Sequence, residues 1–200
     1  MSKLEKNLSV SELAVLSGVS EKTVRNEIHR RIISVPHHGT RGKRWRFPSN
    51  AVAYFMLVNE VALPREDRQA LYKLIATEKA TAGKWRRKHP HLFNRGDLLS
   101  LNTQRIVSSS AKKVRTYCKG FDRIESRPDV LSGEEVFKGT RLSVRHIGGM
   151  ARKGVRIDEI KKDYPNLTEG DIRFAEIYAA IKRPPGRPTK QLAFRQMPAS

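Results

Sequence analysis

The sequence is short of acid. Among 200 residues, 20 are Asp or Glu and 40 are Lys or Arg, a formal net charge of +20. Such an excess repels itself in a lone chain, and it points to a polyanion or an acidic partner. A single cysteine, Cys118, excludes an internal disulfide and a cysteine-rich zinc site. The six histidines are scattered, and His37, His38, His89 and His91 stand in basic stretches without carboxylate or cysteine company. No metal and no cofactor are therefore expected. No run approaches the apolar length of a transmembrane helix, and the start MSKLEKNLSVSE lacks the apolar core of a signal peptide. A reducing cytoplasm, close to the nucleoid, is the expected home. Paired carboxylates, a nucleophile elbow and a phosphate loop are all missing, so no enzymatic activity is expected.

What is present begins with LSVSELAVLSGVSEKTVRNEIHRR, residues 8–31. Ser9 and Glu12 have capping-box spacing, in which each side chain satisfies a backbone N–H at a helix start. Leu13, Ala14 and Leu16 follow on helical spacing, and Gly18 suits the left-handed residue that ends a helix. Ser20 can cap a second helix whose Val24 and Ile28 pack against the first. Glu21, Lys22, Thr23, Arg25, Asn26 and His29 are left facing away. These are donors, acceptors and cations suited to base edges and phosphates in a major groove, the pattern of a DNA-binding helix-turn-helix. An ordinary helix pair with a solvated polar face has the same local pattern.

The next residues favour DNA. Ile32–Val35 and Arg44–Phe47 have strand character and flank PHHGTRGK, which predicts a hairpin. Alternation puts Trp45 and Phe47 on one face and Arg44 and Arg46 on the other. With Arg41 and Lys43 in the loop, the arginines form a basic wing free of acid. The order resembles the winged helix of the MerR and excisionase families over about the first 60 residues.

Further along, Ala51–Val61 and a segment from Pro64 to about Ala80 read as helices, the latter with Leu71, Leu74 and Ile75 as its buried stripe. Helices this apolar suit a domain core or a dimer seam. Thr81–Arg95, TAGKWRRKHPHLFNR, breaks the periodicity and reads as a solvated basic linker, or as a phosphate-contacting strap with Trp85 lying on it. Asp97–Asn102 is a short strand candidate. Thr103–Phe121 is a helix expected to join two halves that fold independently.

In the second half, residues 123–137 read as a small hairpin around Pro128 and Gly133, with Val136 and Phe137 as its apolar side. Gly139, Thr140 and Arg141 turn the chain into three helices, Val144–Arg152, Ile157–Tyr164 and a third from Thr168 to Lys182. Thr168 can cap that third helix together with Asp171, and Ile172, Ala175 and Ala179 give it an inward face.

The run PDVLSGEEVFKGTRLSVRHIGGMARKG, with IDEIKKDYPNLTEGDI after it, resembles a widespread prokaryotic domain catalogued as of unknown function. The matching pattern is Pro128, Gly133, an apolar pair, G-T-R, an apolar-x-V, Gly154, and Y-P-x-L-T at Tyr164–Thr168. Arg156 departs from it, standing where a small capping residue is commoner. Proteins joining this domain to a winged helix resemble VapB-type antitoxins. The resemblance implies a PIN-like ribonuclease toxin as partner, which the antitoxin binds and silences. It also implies a basic Gly-Arg-Pro tail, matched here by Lys182–Pro188. Gly139, Thr140 and Arg141 read as structural: the glycine allows the turn, the hydroxyl caps, and the arginine ties hairpin to helices. The tail has no acidic residue after Glu176. It suits a disordered end, an arm in a narrow minor groove, or an arginine entering the toxin's acidic site.

The expected fold is mainly α, a winged helix-turn-helix (1–82) followed by a basic linker and connecting helix (83–121). A small hairpin with a three-helix, helix-turn-helix-like unit (122–183) and a basic tail (184–200) complete it. The expected DNA contacts are Ser20, Lys22, Thr23, Arg25, Asn26, Arg41, Lys43, Arg44 and Arg46. The expected toxin contacts are Val136, Phe137, Arg183, Arg187, Lys190 and Arg195. Partners are operator DNA and the ribonuclease, with the chain as a homodimer or part of a larger hetero-oligomer. The rival readings are a stand-alone regulator or recombination accessory protein, and an RNA-binding structural protein favoured by charge alone.

Overall fold

The computed structural model describes residues 7–34, 37–38 and 44–182. The described residues are mainly helical. In chain order they form α1 (Val10–Ser17), α2 (Glu21–His29), β1 (His37–His38), β2 (Arg44–Trp45), α3 (Ala51–Glu60) and α4 (Arg65–Ala76). Then come β3 (Thr81–Ala82), β4 (Trp85–His89), β5 (Leu92–Arg95), β6 (Leu99–Asn102) and α5 (Gln104–Gly120). The last part holds β7 (Ile124–Ser126), β8 (Glu135–Phe137), α6 (Val144–Arg152), α7 (Ile157–Asp163) and α8 (Glu169–Ile181).

Helix starts follow the capping residues. The Ser9 hydroxyl accepts from the Glu12 N–H while Glu12 accepts from the Ser9 N–H at 2.7 Å, a complete capping box. Gly18 closes α1 in the left-handed conformation, φ 74°. Thr168 and Asp171 repeat the box on α8. At Arg156 the side chain makes no cap bond, and Asp158 and Glu159 in the first turn of α7 complement the helix dipole instead.

The wing is a hairpin in a different place from the one the sequence predicts. Its first strand is His37–His38, paired antiparallel with Arg44–Trp45. The N–H groups of Ile32 and Ile33 both reach the Glu27 carbonyl at the end of α2. That turn draws both isoleucines into the core and removes them from any ladder. Phe47 is fully buried and exchanges two backbone hydrogen bonds with Leu8.

The basic linker of the sequence reading is a sheet. Strands β3, β4, β5 and β6 form a four-stranded antiparallel meander. Trp85 and Phe93 are buried, and Trp85 donates its indole N–H to Asp67 of α4 at 2.9 Å. Arg95 donates to the other oxygen of Asp67 at 2.6 Å. Arg87 lies over the Phe93 ring and donates to the Leu74 carbonyl. Two arginines thus face inward with their guanidinium groups partnered, which hides the period-2 pattern behind an apparent charge run.

The halves expected to be separable share one core. Buried side chains from Leu8 to Tyr178 form a continuous cluster. α5 lies at its middle, with Tyr117 donating to Glu12 of α1 at 2.8 Å. Tyr117, Phe121, Phe174 and Tyr178 then meet in sequence, edge-on or tilted, at centroid separations of 5.0, 5.3 and 5.6 Å. Such rings add about 0.5–1.5 kcal/mol per pair beyond their burial.

Candidate nucleic-acid interface

α2 is presented by its contacts on both sides. At its start, Ser20 caps the helix by accepting from the Thr23 N–H at 3.0 Å, and its hydroxyl also meets that of Thr23 at 2.9 Å. Ser11 of α1 donates to Glu21 at 2.5 Å, which ties the two helices of the motif together. At its far end, Arg65 and Gln69 of α4 donate to the carbonyls of Arg30 and Arg31 at 2.8 and 2.9 Å. The inward face holds Val24 and, buried beside it, Glu27.

Glu27 is the residue that sequence reasoning missed. Its carboxylate accepts from Tyr54 at 2.8 Å and from Arg68. Burial, then the charge of Glu27, push the Tyr54 hydroxyl far above its ordinary value, so it stays a donor. The signal was available in the spacing. Glu27 stands three residues after Val24 and therefore on its face, where a carboxylate requires partners.

Lys22, Arg25 and Asn26 are exposed on the outer face, as the spacing predicts, and Thr23 is half-buried. Arg25 donates to Glu21 at 2.7 Å across one turn. The Ser11 hydroxyl and then Arg25 hold the Glu21 carboxyl below its usual range. An exposed pair of this kind is worth about 0–1 kcal/mol, so Arg25 exchanges it cheaply for a base or phosphate. Ser20 and Thr23 already spend hydroxyl hydrogen bonds on the cap. The wing touches α2 through Trp45, whose ring meets His29 edge-on at 5.7 Å. Arg46 is half-buried, and Arg44 belongs to β2. Arg41 and Lys43 lie outside the described residues.

In the C-terminal unit the assignments need correction. Val136 and Phe137 were expected to dock a partner, but they are buried, at 0% and 3% exposure. β8 pairs with β7, Phe137 joins the continuous core, and Val136, one residue before it on the strand, is buried as well. Gly139 takes a left-handed φ of 73° and donates its N–H to Glu125 at 3.1 Å. The Thr140 hydroxyl donates to the Phe137 carbonyl at 2.8 Å and accepts from the Leu142 N–H at 3.1 Å. Arg141 is exposed and makes no tie to the helices among the described residues. That tie belongs to Arg123, which meets Asp171 of α8 with two bonds of 3.1 and 3.0 Å. Burial alone would raise the Asp171 carboxyl, yet the bonds from Arg123 and Thr168 outweigh it and hold it below the usual range. Arg183, Arg187, Lys190 and Arg195 lie outside the described residues, as does the rest of the tail.

Among the described residues no cluster of His, Cys, Asp or Glu is arranged to hold a metal, and no helix is long and apolar enough to cross a membrane.

Comparison with known proteins divides along the same lines. Residues 8–57 match a family model described as a helix-turn-helix domain. Residues 124–179 match one described as a protein of unknown function, DUF433. An uncharacterized protein of Sinorhizobium fredii (strain NBRC 101917 / NGR234), y4eO, is 24% identical over 91 residues, which are 46% of this chain and 41% of that protein. The chain therefore spans less than half the length of this relative. No solved structure matches. The chain joins a helix-turn-helix domain at its N-terminus to a DUF433 domain at its C-terminus, the first of which supports DNA binding.

Proposed function

We propose that this protein is a non-enzymatic antitoxin that represses its own operon and binds and inhibits a PIN-like ribonuclease encoded beside it. The supporting observation is the union of a helix-turn-helix domain and a DUF433 domain on one continuous core. In this reading Lys22, Arg25 and Asn26 address base edges, while Arg44 and Arg46 hold phosphates. The ribonuclease is met by the outer surface of the C-terminal unit and by the tail. Arg183, Arg187, Lys190 and Arg195 carry a charge opposite to clustered metal-binding carboxylates, and arginine meets carboxylate with two parallel hydrogen bonds. A homodimer, or a larger assembly with the toxin, is the working state.

Co-purification from cells expressing the tagged chain with its untagged neighbouring gene product tests this reading. Truncation after Lys182 is expected to leave operator binding intact while inhibition of the ribonuclease falls. Full inhibition with poor operator binding would make the tail a minor-groove arm. Recovery of the chain without any neighbouring product would favour a stand-alone regulator.

DNA readout gives a second expected result. Asn26→Ala is expected to relax sequence preference and cost about 1–3 kcal/mol at the cognate site. Arg46→Ala is expected to weaken all duplexes alike and lower the salt slope by about one. Titrations against matched cognate and scrambled duplexes check both. Identical profiles for the two variants would refute this division of roles.

A further inference from the structure

Between Glu78 and Asp122 the chain carries eleven Lys and Arg and a single acid, Asp97. The sheet formed by β3–β6 begins this stretch, and two of its arginines are spent inside the fold. Arg95 is paired with Asp67, and Arg87 is bonded to the Leu74 carbonyl. The cations left over point outward. Lys84, Arg86 and Lys88 are exposed and have no ion pair or side-chain hydrogen bond among the described residues.

Strand register shows what accompanies them. Thr81 pairs with Arg86, Arg86 with Asn94, and Asn94 with Ser100, so these four residues form one cross-strand row. All four are hydrogen-bonding side chains on the face opposite Trp85 and Phe93. An exposed sheet face usually mixes charges of both signs, because like charges side by side on a face destabilise it. Here the strands carry no carboxylate on that face, so an anion laid across it meets cations and neutral hydrogen-bonding groups alone.

The position of the sheet favours DNA as that anion. Asp67, which grips Trp85 and Arg95, is the neighbour in sequence of Arg68, which grips Glu27 of α2. Arg65 and Gln69, on either side of them, hold the C-terminal end of α2. One turn and a half of α4 therefore braces both the recognition helix and the sheet. The sheet is thereby fixed to the same helix that fixes the C-terminal end of α2.

We propose that the outward face of the β3–β6 sheet is a second DNA-backbone surface. Lys84, Arg86 and Lys88 neutralise phosphates flanking the segment that α2 reads, and Thr81, Asn94 and Ser100 add uncharged hydrogen bonds. Contacts of this kind carry no sequence information; they fix register and raise affinity for any duplex. The proposal rests on the DNA-binding reading of the helix-turn-helix domain.

The test uses the full chain, a duplex covering the promoter of its own gene, and an unrelated duplex of the same length, each titrated over a range of KCl. Each phosphate contact contributes about 0.9 to the slope of log affinity against log salt. The triple variant Lys84→Gln, Arg86→Gln, Lys88→Gln is expected to lower that slope by about 2–3 on both duplexes. Hydroxyl-radical footprinting is expected to show loss of protection on one flank with the core footprint retained. The three single variants each lower the slope by about one, which guards against a folding defect in the triple. Wild-type binding with an unchanged slope and footprint in the variants overturns the surface alone. A defect seen only on single-stranded RNA overturns it as well, and assigns the face to RNA. If the wild-type protein binds neither duplex, the helix-turn-helix reading falls and this surface with it.

Discussion

Replacing Arg68 with alanine is expected to destabilise the protein by about 3 kcal/mol and to abolish specific DNA binding, although Arg68 is not among the residues proposed to contact DNA. Its guanidinium answers the Glu27 carboxylate, whose side chain is only 6% exposed, while Arg68 itself retains 23% exposure. Removing one partner of a buried pair costs about 3–5 kcal/mol, because the other charge is left without compensation. The low end applies here, since Tyr54 still donates to Glu27 and water can reach part of the vacated space. Glu27 lies on α2 next to Asn26, so loosening it moves the face proposed to address DNA. The double variant Glu27→Gln, Arg68→Ala keeps an acceptor for Tyr54 and removes the orphaned charge. It is expected to recover more than half of the lost stability. Urea unfolding of the two variants beside wild type measures both effects. An Arg68→Ala protein as stable as wild type would show that the Glu27–Arg68 pair contributes nothing to holding α2.

That network marks the boundary of what the residues disclose in sequence. Local rules sufficed for α1 and α8, where a capping serine or threonine, an acid three residues on and an apolar stripe all agree, and for α2, where Ser20 caps and Val24 marks the inward face. α6 runs over the residues expected of it, Val144–Arg152, because Ser143 caps it and Gly154 ends it. Strand β6 falls within the stretch expected at Asp97–Asn102, but the rest of the sheet was illegible for a physical reason. Its inward positions include Arg87 and Arg95, whose charges are satisfied only by a carbonyl and a carboxylate on α4, remote in sequence. Ile32 and Ile33 misled in the opposite sense. Their β-branched side chains suit a strand, but the turn after α2 claims their backbone.

The interface was half legible. Exposure of Lys22, Arg25 and Asn26 follows from helical period alone. The burial of Val136 and Phe137 did not follow, because an apolar pair in a short hairpin looks the same whether it meets a partner or its own helices. Arg141 shows the converse. A motif arginine next to a turn resembles a structural tie, yet the tie is made by Arg123, which only the folded hairpin brings to Asp171.

The other large effect is expected from the smallest possible change, one methyl group at Gly148. α6 crosses α8 so closely that a Cβ built on Gly148 would sit 2.1 Å from the Ala175 carbonyl oxygen and 2.7 Å from the Ala179 Cβ. The obstructing atoms include backbone of a packed helix, which cannot rotate aside as a long side chain can. The helices must separate, and the apolar contacts of Val144, Ile147, Ile172 and Ala175 loosen with them. Overpacking of this kind typically costs about 1–3 kcal/mol and occasionally more, and obstruction by backbone places Gly148→Ala at the upper end. The adjacent glycine supplies the control. A Cβ on Gly149 meets nothing within 4 Å, so Gly149→Ala is expected to stabilise α6 by about 0.5–1 kcal/mol through helix propensity. Two neighbouring substitutions of identical chemistry should thus act with opposite sign. The consequence also travels. α8 carries Phe174 and Tyr178 into the aromatic cluster that continues through Phe121 and Tyr117 to Glu12 of α1. Gly148→Ala should therefore lower a single thermal transition for the whole protein, and DNA binding should fail at that same lowered temperature. A split into two transitions, with the helix-turn-helix surviving to the wild-type temperature, would show that the core shared by the halves does not make them unfold together.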